Sequence, residues 1–273
     1  MERPAWAPHG IDLAVPSVSR MYDYYLGGSH NFEVDREAAR RAMRAWPGLP
    51  KIMQANRAFM RRAIRFAVGE GVTQFLDIGS GIPTFGNVHE VAHALDRGAH
   101  VVYVDHDPVA VAHSRAVLEG DKRVGIVSAD FRSPQDILDS PEVEELLDLD
   151  RPVALMLVAL LHFLEDRDEP AKCLAELARR LAPGSLLVLT HASTETGPRH
   201  DGGAGLRQVY STASAPLVFR TDNEIQRFFE EFEMVEPGLV PVPCWRPDSP
   251  PEYEDAAVFS GYAGVGRKPG RAA

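Results

Sequence analysis

The stretch Phe75 Leu76 Asp77 Ile78 Gly79 Ser80 Gly81 Ile82 Pro83 Thr84 is an apolar run that meets an acidic residue and then a Gly-x-Gly turn. Glycine belongs in such a turn because bare backbone can approach a ligand where a Cβ would collide. A dinucleotide site also wants a glycine three residues after the second, so that a helix packs close with its N-terminus toward a pyrophosphate. Here that position is Thr84, and Pro83 occupies the turn. Asp77 at the strand end suits instead a ligand that carries an amino group. The same residues also describe a tight strand-to-helix turn with no ligand at all.

From Val72 onward, short apolar runs alternate with helical segments, which predicts βαβ units and a parallel sheet. Strands are expected at 74–77, 100–105, 124–128, 153–159 and 185–190. Asp107 before Pro108 and Ser140 before Pro141 are helix caps with proline in the first turn, and residues 170–181 form the fourth crossover helix, stopped by Pro183 and Gly184. Beyond the fifth strand, the polar, glycine-rich segment 193–205 reads as a surface loop. Thr221 with Glu224 makes a capping box that opens a helix through Phe229. Extended runs at 232–240 and 257–266, separated by the proline-rich stretch 241–251, have no helix between them and so pair antiparallel.

Upstream of the glycine turn the pattern is helical. Val18, Met21, Tyr22 and Tyr25 fall on one face behind Ser17, and Gly27 and Gly28 end that helix. Ala39, Ala42, Met43 and Trp46 mark a second helix before Pro47. A stripe from Ile52 through Asn56, Phe59, Ala63 and Ala67 marks a third before Gly69. Residues 1–70 therefore read as a helical cap and residues 71–273 as the core.

With 273 residues, 45% hydrophobic and 25% charged, the chain fits one large α/β domain with a small appendage. A net charge of -10 repels polyanions, so neither nucleic acid nor an anionic membrane is expected as a partner. Arg57, Arg61, Arg62 and Arg65 at helical spacing read as a solvated face. The two cysteines, Cys173 and Cys244, form neither a zinc motif nor a disulfide framework. Residues 1–10 hold no apolar signal core, and the longest apolar run, 152–161, is too short to cross a bilayer. A cytoplasmic protein is expected.

Two further strand ends carry acids. Val101 Val102 Tyr103 Val104 leads to Asp105, which can accept from both hydroxyls of a ribose, with His106 beside an adenine. Asp107 is the helix cap, and no metal site is expected from Asp105, His106 and Asp107 because consecutive side chains diverge. Ser128 Ala129 leads to Asp130 and Phe131, an acceptor for an adenine amino group and a ring to shield the base, although an Asp after a strand is also a common turn residue. All three ends follow successive strands and so converge on one edge of the sheet.

The ordered set Asp77 to Gly81, Asp105 and Asp130 resembles the S-adenosylmethionine-binding motifs of class I methyltransferases, over about residues 72–267. Ser19 Arg20 Met21 Tyr22 Asp23 Tyr24, Leu26 Gly27 Gly28, Asn31 Phe32, Asn56 Arg57 with Phe59, Gly79 to Thr84, and Glu236 Pro237 Gly238 Leu239 Val240 resemble, across nearly the whole chain, a family of methyltransferases with no assigned substrate. The resemblance implies an α/β, Rossmann-like class I fold: a mostly parallel seven-stranded sheet, a C-terminal antiparallel hairpin and an N-terminal helical cap. It also implies S-adenosyl-L-methionine as cofactor, its carboxypropyl end on Asp77, Gly79, Ser80 and Gly81, its ribose on Asp105 near His106, and its adenine on Asp130 and Phe131.

A small-molecule acceptor is expected under the cap, with Tyr22, Tyr24 and Arg57 as a lid, although helical spacing alone also makes Tyr22 and Tyr25 ordinary core. His162 and His191, after the fourth and fifth strands, are candidate general bases, although a histidine at a strand end most often simply bonds a loop backbone. Many relatives of the fold carry an acid or Asn near the end of strand four, where this chain reads Ala159 Leu160 Leu161 His162. That departure argues against amino-group methylation by the usual polar clamp. The competing functions are a protein that binds the same cofactor without transfer and a nicotinamide-dependent oxidoreductase, the latter disfavoured by the absent third glycine. The residues specify neither the acceptor nor an oligomeric state.

Overall fold

Five strands, β1 (Gln74–Ile78), β2 (His100–Asp105), β3 (Val124–Ser128), β4 (Ala154–Val158) and β5 (Leu186–Ala192), run parallel in the spatial order β3-β2-β1-β4-β5. The computed structural model describes residues 8, 11–84, 86–193, 195, 202–249 and 261–270. Each of the five strands lies within two residues of its expected bounds. The order of connection reverses between β1 and β4, which opens a crevice at their carboxyl ends.

The sheet continues antiparallel through β8 (Gly261–Arg267), which pairs with β5 along its length. On the far side of β8, the strand expected at 232–240 is two short strands, β6 (Glu233–Met234) opposite Arg267 and Gly266, and β7 (Val240–Pro241) opposite Ala263 and Tyr262. The seven-position sheet thus has a divided edge. Pro237 lacks an N–H to offer the ladder and Gly238 has φ +86°, so the chain turns away between the two pieces. Of the run expected at 257–266, residues 257–260 lie outside the described residues.

Both faces of the sheet are covered, which is why the strands read as unbroken apolar runs. Leu76, Val102, Leu155 and Leu187 face one side, under α6 (Pro134–Leu138), α7 (Pro141–Leu146), α8 (Pro170–Arg180) and α10 (Asp222–Gln226). Phe75, Val101, Ala154 and Val188 face the other, under α3 (Leu49–Gly69), α4 (Val88–Leu95) and α5 (Pro108–Leu118).

This arrangement corrects the boundary expected at residue 70. The stripe Phe59, Met60, Ala63, Ile64 and Ala67 of α3 packs against Phe75 and Met156, so α3 belongs to the sheet core. Arg62, expected on a solvated face, is buried and donates to the carbonyls of Trp245 (2.8 Å) and Val242 (3.1 Å). The cap is formed instead by α1 (Val18–Tyr25), α2 (Glu33–Ala45) and α9 (Gly202–Tyr210), which share a cluster of Met21, Ala38, Ala42, Trp46, Leu206 and Tyr210.

Helix α9 occupies 202–205, the end of the segment expected as a surface loop; residues 194 and 196–201 of that segment lie outside the described residues. Gly205 misleads because its role is close contact. A Cβ there would stand 2.9 Å from that of Ala45 on α2.

Buried carboxylates tie the cap together. Asp35, fully buried, accepts from Ser17 N (2.9 Å), Phe32 N (2.8 Å) and Arg20 Nε (2.8 Å). Ser17 Oγ donates to Asp107, which also caps α5 by accepting from Val109 N at 2.8 Å. Asp23 holds the α1–α2 connection through His30 N (2.9 Å) and Asn31 Nδ2 (2.8 Å). A Cβ on Gly28 would lie 1.9 Å from Asp23 Oδ1. Gly28→Ala is therefore expected to lower stability by about 1–3 kcal/mol in a denaturant titration, as overpacking does. A variant as stable as the parent would show that Asp23 yields without cost.

Among the described residues, no helix is long and apolar enough to cross a membrane.

Candidate functional site

The glycine turn hooks β1 onto β2. Gly79 N donates to Val104 O at 2.8 Å and Ser80 N to the same oxygen at 3.2 Å. Gly79 (φ +75°) and Gly81 (φ +68°) adopt the left-handed conformation that disfavours a side chain, and a Cβ on Gly79 would meet Leu160 Cδ1 at 2.7 Å. Asp105, at the tip of β2, accepts from Gly81 N (2.7 Å) and Asp107 N (2.8 Å), so the second acidic tip braces the turn that follows the first.

These groups border one cleft of about 260 Å³. Every residue expected at the three strand ends lines it: Asp77, Gly79, Ser80, Gly81, Asp105, His106, Asp130 and Phe131. Burial pushes the Asp77 carboxyl up to about 7; Arg57 draws it down and Asp105 adds to the rise. Burial also raises Asp105. The Ser80 hydroxyl is buried in the cleft wall with no hydrogen-bond partner, which is the condition of a group shaped for something the protein itself does not supply. Burial works to raise Asp130, but two bonds from Arg132 (2.6 and 3.0 Å) outweigh it and hold the carboxylate below its usual range.

Of the expected lid residues, two reach the cleft. Arg57 reaches it from α3, where it donates to Gly86 O (3.1 Å) and Asn87 Oδ1 (3.2 Å) and sits beside Asp77. Tyr22 lines the cleft with its hydroxyl donating to Met53 O at 3.4 Å, and burial raises its pKa. Tyr24 corrects the expectation: it borders neither cavity and lies under the Arg40 guanidinium at 5.8 Å. Residues two apart on a helix point in nearly opposite directions, so Tyr22 and Tyr24 cannot share a face.

A second cavity of about 70 Å³ lies under the cap and shares with the cleft a wall of Val18, Tyr22, Ala159 and Phe163. Ala159, the residue after β4, has φ +61°, a left-handed conformation uncommon for a residue with a side chain, and its N–H donates to Thr190 Oγ1 at 2.8 Å. The turn sends Leu160 over Gly79 and Phe163 into the shared wall.

Both histidines border this second cavity, and they differ. His191 donates through Nδ1 to Ala192 O (2.8 Å) and accepts at Nε2 from Arg220 Nη1 (2.9 Å). Arg220 also donates to Leu161 O, Leu164 O and Asp166. Burial, with Arg220 beside it, lowers His191 to about 4. It is thus a neutral strut whose two nitrogens are committed, which corrects its candidacy as a base. Burial drives His162 well below its ordinary value, with His191 and Arg220 adding to the effect, and its Nδ1 has no partner. His162 stays available.

Several site residues escaped the sequence reading. Arg132 two positions beyond Asp130, Trp46 at the end of α2, Phe163, and the segment 214–216 all wall the cavities. Ser214 is tied to the start of α1, with its N–H donating to Pro16 O (2.8 Å) and its Oγ accepting from Val18 N (3.1 Å). Only the Asp-x-Arg spacing of 130–132 carried a local signal. Among the described residues no group of three His, Cys, Asp or Glu side chains is placed to hold a metal.

The family model described as S-adenosyl methyltransferase matches residues 4–269. A candidate methyltransferase from Thermobifida fusca YX, known from its crystal structure, is 39% identical, with 97% of this chain and 100% of that chain covered at a TM-score of 0.90. A DUF574-family protein from Streptomyces avermitilis MA-4680 is 38% identical, with 93% and 98% covered at a TM-score of 0.88. No curated protein matches the chain.

Proposed function

The chain belongs to the S-adenosyl methyltransferase family, and we propose on that premise that it moves the methyl group of S-adenosylmethionine to a small-molecule acceptor held beneath the cap of α1, α2 and α9. The observation that carries this reading is the convergence of three successive strand ends, with their glycine turn and acids, on one cleft.

The residues fit the donor end by end. Asp77 and Arg57, a carboxylate beside a guanidinium, complement the ammonium and carboxylate of an amino acid. Gly79 to Gly81 leave backbone bare along the chain of the ligand, and the Ser80 hydroxyl gains a partner. Asp105, held by Gly81 and Asp107, presents its remaining acceptor capacity to a ribose, while Asp130 and Phe131 suit an adenine amino group and ring.

When bound, the donor supplies a sulfonium methyl that is already activated toward a nucleophile. The work left to the chain is alignment and exclusion of water. Tyr22 and Phe163, in the wall between the cavities, border the path between donor and acceptor. A hydroxyl acceptor must lose a proton, and neutral His162, whose Nδ1 has no partner and whose ring lies 4.5 Å from that of Phe163, is the candidate to take it.

Calorimetry provides the test. S-adenosylmethionine and S-adenosylhomocysteine are expected to bind and nicotinamide dinucleotides are not; the reverse order would reject the donor. Asp105→Ala is expected to weaken donor binding by roughly 1.5–3 kcal/mol, the range for hydrogen bonds to a charged group. Unchanged affinity in a folded variant would reject the ribose assignment. Release of S-adenosylhomocysteine in the presence of an acceptor separates transfer from binding alone.

A further inference from the structure

The second cavity differs from the cleft in what walls it. Among the described residues that line it there is no Asp, Glu, Lys or Arg; the wall is mainly Leu49, Ile52, Met53, Leu206, Leu217 and a ring of aromatics, with the Asn56 amide bonded to Tyr22. A charged molecule there would be desolvated without a counter-ion. Most polar groups of the wall are already used: Tyr22 on Met53, Tyr210 on Tyr25, Thr190 on Ala159, and His191 on Arg220 and Ala192.

Two are not. Trp46, only 6% exposed, has an Nε1–H without a partner, and His162 Nδ1 is buried without one. Buried polar atoms left unpaired are rare in folded proteins, and both of these belong to residues that line the same small cavity.

Resting on the donor assignment above, we propose that this cavity receives the acceptor and that the acceptor is a neutral, mainly apolar small molecule bearing hydroxyl groups, recognised by Trp46 and His162. A hydroxyl suits both nitrogens: its oxygen accepts from the indole N–H and its proton goes to an imidazole lone pair. At about 70 Å³ the cavity is smaller than the roughly 150 Å³ that admits a benzene molecule. It therefore takes one end of the acceptor, and the rest passes the shared wall of Tyr22 and Phe163 into the cleft.

The experiment uses the full chain saturated with S-adenosylhomocysteine and titrates benzyl alcohol, toluene, benzoate and benzylamine, followed by ligand-observed NMR. Benzyl alcohol is expected to bind at least fivefold more tightly than the other three. Trp46→Phe and His162→Leu are each expected to reduce that preference at least threefold, with toluene binding and S-adenosylhomocysteine affinity retained as signs of an intact fold. Tightest binding by benzoate or benzylamine overturns the proposal, as does a preference for the alcohol that survives in both variants. A parent protein that fails to bind S-adenosylhomocysteine overturns the donor assignment instead, and the alcohol preference measured without it still decides the chemistry of the cavity.

Discussion

Asp77→Asn is expected to yield a protein that is more stable than its parent at pH 8 and that has lost its donor. The Asp77 carboxyl is raised from the ordinary 3.8 to about 7 by burial, so the folded chain holds this proton more tightly than the unfolded chain. A raised acid contributes least to stability once it is ionised, and the loss accumulates as pH climbs from about 4 to about 7. A rise of this size costs the ionised form roughly 4 kcal/mol at alkaline pH. The neutral amide avoids that cost, so the variant should gain several kcal/mol over the parent at pH 8 and much less at pH 5, measured by urea unfolding. An advantage equal at both pH values would refute the burial account.

Donor affinity runs the other way. The parent must ionise Asp77 to hold an ammonium, so binding should weaken by up to about tenfold for each pH unit below 7. The amide variant, which carries no ionisable group at this position, should bind weakly at every pH. A parent profile flat from pH 5.5 to 7.5 would remove Asp77 from the donor site.

Asp35→Ala is expected to cost about 3–5 kcal/mol, the penalty for leaving one member of a buried ion pair unmatched. Asp35 is fully buried, accepts from two backbone N–H groups, and neutralises Arg20, itself 3% exposed. Its loss strands a guanidinium inside the cap and frees the start of α1. Denaturant unfolding should show the loss, and proteolysis should cut first between α1 and α2. A change below about 1 kcal/mol would mean that water reaches Arg20 and that the pair is not sealed.

The sheet and its acidic tips were legible because their signals are local. A strand covered on both faces reads as an apolar run whatever packs on it, and Asp107 before Pro108 announces a cap from two residues alone. What could not be read depends on partners distant in the chain. Arg62 sits at a spacing typical of a solvated face, and the carbonyls of Val242 and Trp245, 180 and 183 residues later, make it interior. Tyr25 finds Tyr210 across 185 residues. Helix α9 was hidden because glycine is both a loop residue and the residue that lets helices touch, and choosing between these needs Ala45. His162 lies beyond β4 and His191 near the end of β5, and the sequence does not show that Ala192 O and Arg220 commit both nitrogens of the second.

The bonds that run from Ser17 through Asp107 and Asp105 to Gly81 constrain how relatives can exchange parts. A chimaera that takes its first helix from one homologue and its glycine turn from another must bring both the serine and the two aspartates, or the graft arrives with a dangling carboxylate at the joint. Recombination crossovers between residues 17 and 107 therefore risk breaking a unit that no single segment contains.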